Sequence, residues 1–466
     1  MASSSPLADS SATEFPPSPR DPAGAVVVRF APSPTGRLHL GNARIAVLNA
    51  LYARAHGGSL ILRMDDTDEA RGTEAFAQAI REDLTWLGLT WVREESQKAR
   101  AARHAEALET LRAAGRLYPC YETPEELEGK RRRQLARGKP PVYDRAALAL
   151  SEADRARLEA EGRRPHWRFL LEARDVTWVD LVRGPSHAHA AHLSDPVLVR
   201  EDGGLLYTLP SVVDDLDFGV THVIRGEDHV VNTAVQIQIA QALGGRPPAW
   251  AHLPLVLGPD GGPLSKRDGA LSIGDLRDEG IEAAAIVALM AALGSGTAPD
   301  PTLDWDAHAR AFRLEAFGRA QPRLDPADLA RLSTRVVHAL DGSQVRARGY
   351  AVSEAHWAVL HANLTRLDEL PAWLAVIDGT IEPVRAPEDE DFLARAAACL
   401  PAAPWDETTW KAWTGAVKAA TGRGGRALFR PLRLALTGLD HGPEMAALLP
   451  LMGRERVLAR LAGEKA

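Results

Sequence analysis

The sequence predicts an α/β protein: a parallel sheet with an α+β insertion, followed by domains built from helices alone. Three observations support this fold class. Residues 26–68 read as strand, loop, helix and strand, which is a βαβ unit. Residues 219–243 repeat a buried strand, a polar loop and a helix. Beyond residue 270 the apolar residues recur at helical spacing, with glycine and proline between the segments.

The first βαβ unit begins with the β-branched run at 26–28 and a turn-forming segment, PSPTG, at 32–36. A helix is predicted over 43–55, and a second buried strand over 59–64 ends in three acids, Asp65, Asp66 and Asp68. Such a unit places a helix N-terminus and the carboxyl ends of the strands at one edge of the sheet. The first N–H groups of a helix have no partner within it, so this edge is predicted to bind an anion.

The chain then reads as two amphipathic helices, a segment of short strands, and a return to the sheet. Helices are predicted over 73–89 and 97–115, and Thr123 with Glu126 forms a capping box before a basic helix, KRRRQLAR. Short strands between 166 and 200 indicate the α+β insertion. The sheet is expected to resume with a strand in 205–215, the strand and helix of 219–243, and a strand over 252–257, before a Gly/Pro-rich loop at 258–269.

Length and composition indicate an ordinary globular protein of two to four domains, with 466 residues, 45% apolar and 25% charged. The formal net charge of −7 argues against a general nucleic-acid coat protein, although it leaves room for a local basic face. Two distant cysteines favour a reducing compartment, and no apolar run has the length of a membrane span. Residues 1–24 lack the features of a signal peptide and are expected to form a disordered tail, so a cytoplasmic location is predicted.

Three sequence blocks together resemble one enzyme family. The string RFAPSPTGRLHLGN at 29–42 resembles the first signature of class I aminoacyl-tRNA synthetases, and its APSPTG part resembles the glutamyl-tRNA synthetases in particular. LSKR at 264–267 resembles the second signature, and a third matching block, VVDD…VIRGEDH, lies between them at 212–229. Each residue alone has an ordinary structural explanation, but three blocks in order after predicted strands favour function.

The resemblance implies a Rossmann-type parallel sheet and an ATP-dependent glutamate–tRNA ligase. Activation requires the amino acid's carboxylate to attack the α-phosphorus of ATP, so cationic or N–H donors must face the phosphates. By resemblance, His39 and Lys266 are catalytic, and ATP contacts Pro34, Thr35, Gly36, His39, Gly41, Asn42, Ser265, Lys266 and Arg267. Glutamate is expected to contact Arg29, Ser33, Asp65, Tyr207, Ser211 and Arg225.

The chain departs from the family pattern at several positions. This chain has Asp65, Ser211 and Pro263 where the family usually has Glu, Asn and Lys. These differences affect the expected substrate contacts but not the reaction class. Many bacterial members hold zinc in the insertion through a Cys-x-Cys pair and later ligands. Here Cys120 is followed by Glu122 with no later partner expected, so no zinc and no other structural metal are predicted.

The resemblance also implies a domain plan and partners. The plan is a tail (1–24), the first catalytic half (25–115), an acceptor-binding insertion (116–204), the second catalytic half (205–257), the mobile signature loop with a helical stem-contact region (258–370) and a helical anticodon-binding domain (371–466). Expected partners are tRNA(Glu), L-glutamate and ATP with Mg²⁺, with no membrane and a monomeric state, and tRNA is expected to be needed for efficient activation.

Alternative functions remain open on sequence alone. A non-discriminating enzyme would also charge tRNA(Gln). A glutaminyl enzyme is disfavoured by the APSPTG block and the helical tail, while a glutamyl-queuosine enzyme or a small-molecule nucleotidyltransferase would be shorter. A catalytically inactive paralogue that binds tRNA is disfavoured by His39 and Lys266, but the departures at Asp65, Ser211 and Pro263 keep it open.

Overall fold

A computed structural model describes residues 25–68, 71–262 and 272–466. The described chain forms two compact units. The N-terminal unit contains the described residues up to 277 together with 286–325, and the C-terminal unit contains 278–285 together with 326–466.

Parallel strands dominate the N-terminal unit. Its elements, in chain order, are β1 (Val27–Phe30), α1 (Leu40–Ala55), β2 (Ser59–Met64), α2 (Glu74–Trp86), β3 (Arg93–Ser96), α3 (Ala101–Ala113), β4 (Leu117–Cys120), α4 (Pro124–Ala136), α5 (Glu152–Ala160), β5 (His166–Phe169), β6 (Asp175–Asp180), β7 (Gly184–His189), β8 (Val197–Val199), α6 (Thr208–Asp217), β9 (His222–Gly226), α7 (Val230–Ala242), β10 (Ala249–Leu253), α8 (Ile273–Asp278), α9 (Ala283–Ala292) and α10 (Trp305–Ala311). The last residue of α8 and the first three of α9 belong to the C-terminal unit.

Two groups of strands lie side by side and build the main sheet. In one group β2 pairs in parallel with β1 and β3, and in the other β10 pairs in parallel with β9 and β6, while β7 is antiparallel to β6. The two groups meet where Thr221 donates its N–H to the Val27 carbonyl at 2.9 Å, beside β1 and β9. The predicted α/β fold with a parallel sheet is confirmed.

The segment between 116 and 204 contributes to two sheets. β4, β5 and β8 form a separate antiparallel sheet, whose apolar side packs with α3 and α7 around Leu111, Phe169 and Leu198. β6 and β7 lie in the same segment but pair within the main sheet. The sequence pattern identifies these segments as strands, but it does not tell which sheet each strand joins.

The predicted strand in 205–215 is wrong, because this segment is mostly the helix α6. Leu209, Val212 and Val213 are spaced three and four apart, so they fall on one helical face and are buried there. The predicted strand over 252–257 is also displaced, since β10 ends at Leu253 and the next residues form a loop. The helices predicted near 73–89, 97–115 and 231–243 and the capping box at Thr123 are confirmed.

The C-terminal unit is helical, as predicted. Its helices are α11 (Pro326–Ala339), α12 (Gly342–Ala347), α13 (Glu354–Leu360), α14 (Leu370–Ile377), α15 (Glu390–Ala398), α16 (Thr409–Thr421), α17 (Arg426–Thr437), α18 (Met445–Met452) and α19 (Arg454–Ala462). Two buried side chains connect helices. Trp413 of α16 donates to the Ala396 carbonyl of α15, and Arg460 of α19 donates to the carbonyls of Val376 in α14 and Leu436 in α17. Among the residues that the structure describes, no helix combines the length and apolarity needed to cross a membrane.

Candidate active site

A cavity of 570 Å³ lies at the carboxyl ends of β1, β2, β9 and β10. The predicted site residues that line it are Arg29, Ser33, Thr35, His39, Gly41, Asn42, Asp65, Tyr207 and Arg225. Pro34, Gly36 and Ser211 are not among its lining residues, and Ser265, Lys266 and Arg267 lie outside the described residues. Residues up to 196 positions apart in the chain, Arg29 and Arg225, thus meet at the predicted edge of the sheet.

His39 forms the N-cap of α1. Its Nδ1 atom accepts a hydrogen bond from the backbone N–H of Asn42 at 3.4 Å, and burial lowers the pKa of the ring. A nitrogen that accepts carries no proton, so the neutral ring has its proton on Nε2, which can donate to a ligand. Gly41 leaves room for this ring, because a Cβ at that position would lie 3.2 Å from two of its atoms.

Arg29 is held from one side only. Its Nε donates to the two carboxylate oxygens of Asp215, at 3.2 and 3.4 Å, and both residues are buried. In the described part of the chain its two Nη groups make no hydrogen bond, and Arg29 lines the cavity. A guanidinium fixed through Nε with both Nη groups available is suited to a carboxylate.

Asp65 is engaged by Arg63, a residue that sequence reasoning missed. Arg63 donates from Nε and Nη2 to the two oxygens of Asp65, at 2.7 and 3.2 Å, and from Nη1 to Asp215 at 2.7 Å. Burial raises the pKa of Asp65, whereas the Arg63 charge acts to lower it. An arginine inside the apolar strand β2 was the signal that could have revealed this buried network.

Ser211 lies beneath this network rather than at the cavity. It is buried on α6, and its Oγ and carbonyl oxygen both accept hydrogen bonds from Arg63, at 3.5 and 3.4 Å. Ser211 therefore contacts the side chain that holds Asp65.

Tyr207 and Arg225 form the opposite wall. Arg225 Nη1 donates to the Tyr207 hydroxyl oxygen at 3.3 Å, and burial lowers the pKa of Arg225 to about 10. Since the Tyr207 oxygen already accepts, its own O–H is free to turn to a ligand. His229, also missed in the sequence, packs its ring 5.7 Å from that of Tyr207 and lines the cavity.

The chain that follows the second signature returns to the first. Ser272 forms an isolated antiparallel bridge with His39, and Ile273 donates its N–H to the Leu38 carbonyl at 2.8 Å. Arg37 pairs with Asp275 at 2.8 Å close by. The described residue after the gap at 263–271 is thus placed next to the N-cap of α1.

The Cys120 region differs from expectation in one respect. The prediction that Cys120 has no later partner is wrong, because donor atoms of Cys120, Glu122 and His166 lie within 4.8 Å of one another. The surroundings are those of a hydrogen-bonded cluster, since Glu122 Oε1 accepts from Lys130 Nζ and the Tyr143 hydroxyl at 3.2 and 2.9 Å. Burial raises the pKa of the Cys120 thiol to about 11. A protonated thiol and an adjacent ammonium fit a zinc ion poorly.

Comparisons with known proteins agree along the whole chain. Residues 25–303 match the family described as class I tRNA synthetases (E and Q), catalytic domain, and residues 331–463 match an anticodon binding domain. A "Glutamate--tRNA ligase 1" of Rhodospirillum rubrum is 70% identical over 442 residues, covering 95% of this chain and all of the relative. A "Glutamate--tRNA ligase 2" of Methylorubrum populi is 58% identical over 450 residues, with 95% and 100% coverage.

A solved structure supports the fold. The crystal structure of a glutamate tRNA ligase from Elizabethkingia meningosepticum has a TM-score of 0.79, covers 94% of this chain and 99% of its own, and is 24% identical. The sheet, the cavity at its carboxyl edge and the matched catalytic domain define a class I aminoacyl-tRNA synthetase. Within that class the chain belongs to the glutamate–tRNA ligases, as its near full-length identity to curated members shows. The predicted family and enzyme class are confirmed.

Proposed function

We propose that this enzyme uses ATP and Mg²⁺ to convert L-glutamate to glutamyl-adenylate and transfers the glutamyl group to the 3′ end of tRNA(Glu). It would do so as a cytoplasmic monomer. The observation that carries the proposal is Arg29, whose two Nη groups remain available beside the cavity while Asp215 holds Nε. Bidentate contact of this kind selects a carboxylate over an amide, and thus glutamate over glutamine.

The other glutamate contacts follow from the hydrogen bonds at the cavity wall. The Tyr207 O–H donates to the side-chain carboxylate beside Arg225, and Ser33, which also lines the cavity, is a further contact for glutamate. Asp65 receives the α-ammonium, because each of its oxygens accepts only one hydrogen bond from Arg63 and retains capacity. Ser211 acts indirectly through Arg63.

The nucleotide is assigned to the N-terminus of α1. His39 Nε2–H and the backbone N–H of Gly41 donate towards the phosphates, next to Thr35 and the side chain of Asn42, while Pro34 and Gly36 shape the turn before them. The Mg²⁺ bound with ATP supplies charge neutralisation for the phosphates. Ser265, Lys266 and Arg267 are proposed by resemblance to close over the departing pyrophosphate.

The matched anticodon binding domain supports tRNA as the second substrate. We assign the acceptor end to the 116–204 segment, the inner stem to the helices up to residue 370, and the anticodon to the helices of 371–466. The choice between tRNA(Glu) alone and both tRNA(Glu) and tRNA(Gln) is left to experiment.

The test is pyrophosphate exchange and aminoacylation with glutamate or glutamine, with purified tRNA(Glu) and tRNA(Gln) supplied separately. We expect glutamate to be activated and attached to tRNA(Glu). Arg29→Lys keeps the charge but removes the fork, so it should lower kcat/KM for glutamate about 100-fold. Arg112→Lys, at a half-exposed position of α3 outside both the cavity and the 116–204 segment, is the matched control and should change kcat/KM for glutamate little.

Each other outcome has a distinct meaning. Charging of tRNA(Gln) with glutamate would make the enzyme non-discriminating. Absence of adenylate with either amino acid, in the presence of tRNA, would overturn the proposal in favour of an inactive tRNA-binding paralogue. Full activity of Arg29→Lys would remove Arg29 from the glutamate site.

A further inference from the structure

Arg225 is a buried cation whose hydrogen bonds all go to neutral acceptors in the described part of the chain. Besides Tyr207, Nη1 donates to Gln236 Oε1 at 2.7 Å, and Nη2 donates to Thr233 Oγ1 at 2.9 Å and to the His229 carbonyl at 3.1 Å. Its remaining donor, Nε, points to Nε2 of His252 at 3.0 Å. The longest of these bonds is the one to Tyr207 at the cavity, where a substrate carboxylate can compete.

His252 can accept from Arg225 in only one tautomer. Its Nδ1 lies 2.5 Å from Asp180 Oδ2, and a carboxylate only accepts, so Nδ1 carries the proton. Nε2 is then left with a lone pair that faces Arg225 Nε at 3.0 Å and the Thr233 hydroxyl at 3.2 Å. Burial lowers the pKa of His252, which keeps the ring neutral beside the guanidinium. His252 and Asp180 are both buried.

Asp180 is fixed in its turn by backbone donors. Its Oδ1 accepts N–H groups of Val182, Arg183 and His252, at 3.0, 2.9 and 3.2 Å. Although burial alone would raise it, these bonds and the one from His252 lower the pKa of Asp180, so the carboxylate is ionised. The orientation of the whole carboxylate is thereby determined, with Oδ2 left for His252.

Asp180 comes from a distant part of the sequence. It is the last residue of β6, within the segment assigned to the tRNA acceptor end, and it stands opposite Trp250 in the pairing of β6 with β10. Trp250 in turn packs under the Arg225 guanidinium, with its ring centre 4.8 Å away. The relay from β6 through β10 to β9 therefore ends at the cavity wall.

We propose that Asp180 and His252 are positioning residues for glutamate, which fix the histidine tautomer and so hold Arg225 in the orientation that contacts the substrate carboxylate. This proposal rests on the proposed function, because it takes Arg225 as a glutamate contact. The competing explanation is that Asp180 only ties the end of β6 to β10.

Asp180→Asn separates the two explanations. Asn keeps an oxygen for the three backbone N–H groups, and its NH₂ then donates to His252 Nδ1. The histidine proton moves to Nε2, where it opposes the Arg225 Nε–H. Replacing a carboxylate that accepts from a histidine by an amide is expected to leave the histidine in the wrong tautomer in this way. We expect KM for glutamate in aminoacylation of tRNA(Glu) to rise about 10- to 100-fold, with KM for ATP unchanged.

His252→Gln supplies the rescue background. A Gln oxygen can accept from Arg225 Nε without any choice of tautomer, so Asp180→Asn should add less than about threefold to the glutamate KM in a His252→Gln enzyme. His252→Leu lacks an acceptor and should resemble Asp180→Asn. If Asp180→Asn folds poorly, the comparison of His252→Gln with His252→Leu tests the same acceptor.

The outcomes are separable. Three results would overturn the positioning role and show that Asp180 only connects the end of β6 to β10. They are an equal effect of Asp180→Asn with His252 and with Gln at that position, equal glutamate KM values for His252→Gln and His252→Leu, and parallel rises in KM for glutamate and ATP. If the unmodified enzyme charges tRNA(Glu) but Arg225→Lys leaves the glutamate KM unchanged, the Arg225 assignment fails, and positioning fails with it. If the unmodified enzyme forms no glutamyl-adenylate, the proposed function itself has failed.

Discussion

His39 caps α1 with one ring nitrogen, and we propose that it donates to the ligand with the other. Nδ1 caps the helix by accepting from Asn42, and Nε2 is left to donate. Capping of the helix requires an acceptor and contact with the phosphates requires a donor. A substitution can therefore keep the helix cap and lose the donor.

His39→Asn tests this separation. Asn is a good N-cap, so we expect stability within about 0.5 kcal/mol of the parent, while His39→Ala should cost about 1 kcal/mol. Both should slow glutamyl-adenylate formation about 100- to 1,000-fold, because both lose the donor to the phosphates. Chemical denaturation and pyrophosphate exchange measure the two effects. Near-normal exchange by His39→Asn would show that the Nε2 donor is dispensable.

Asp215 is shared by two buried arginines. It accepts from Arg29 and Arg63, so Asp215→Asn leaves two guanidinium groups with reduced compensation. We expect a loss of about 3 kcal/mol in the free energy of unfolding, since breaking a buried pair costs 3–5 kcal/mol, together with loss of glutamate binding.

The matched control for Asp215→Asn is Asp217→Asn on the same helix. Asp217 pairs with Arg100 and Arg103 in a more exposed position, with 26% of its side chain accessible. Its loss should cost less than about 1 kcal/mol. Similar effects of the two variants in denaturant titrations would contradict a special role for the Asp215 network.

At the scale of elements, a hydrogen-bonded cluster connects the end of β4 to α4 and lies beside His166 of β5. Glu122, Lys130 and Tyr143 tie the elements by hydrogen bonds around the protonated Cys120 thiol. Among the described residues, Glu122 Oε2 and His166 Nε2 lack a partner. Because these two atoms are available as ligands, the zinc content of the enzyme is a direct test of the prediction that no zinc binds.

We predict that the purified enzyme contains no stoichiometric zinc and that a chelator leaves its melting temperature and activity unchanged. The reason is that a cation would have to displace Lys130 from Glu122 and deprotonate Cys120. Elemental analysis and thermal unfolding with and without chelator provide the measurement. One zinc per chain, with a lower melting temperature after its removal, would show that His166 completes a site.

Elements were predictable from sequence where one periodicity dominates. The strand β1 and the helix α1 follow from apolar residues of matching spacing, and this placed Arg29 and His39 at the correct edge of the sheet. The segment around Leu209 was misassigned because its apolar run suits a strand and a helix equally until tertiary packing decides. Arg63 and Asp215 are 152 positions apart, and a local sequence pattern cannot predict an ion pair over that separation.

At the scale of the whole molecule, we expect the buried histidines to make the folded state less stable in acid. In the part of the chain that the structure describes, burial lowers the pKa of five rings below 6.5, those of His39, His166, His229, His252 and His308. In the unfolded chain each ring takes up a proton near pH 6.5, whereas in the folded chain it does so only at lower pH. The unfolded state therefore binds more protons in this range, and stability falls as the pH falls below 6.5.

We expect the melting temperature to fall between about pH 7.5 and pH 5.5. Asp65, Asp83 and Glu282 act in the opposite direction, because burial raises their pKa values, that of Asp83 to about 6, and the folded state then binds the extra protons. The five histidines outnumber these three acids. His308 does not line the cavity, so His308→Gln should flatten the dependence of the melting temperature on pH without changing a predicted ligand contact. A melting temperature that is constant or rises on acidification would contradict this balance.

The order of strands has a consequence for synthesis on the ribosome. β10 lies between β6 and β9 in the main sheet, yet it is the last of the three to be made. With elongation at about 5–20 residues per second, β6 and β9 wait several seconds with unpaired edges. β6, which ends at Asp180, cannot pair with β10 until Leu253 has left the ribosome. The main sheet is therefore completed late, when β10 inserts between β6 and β9.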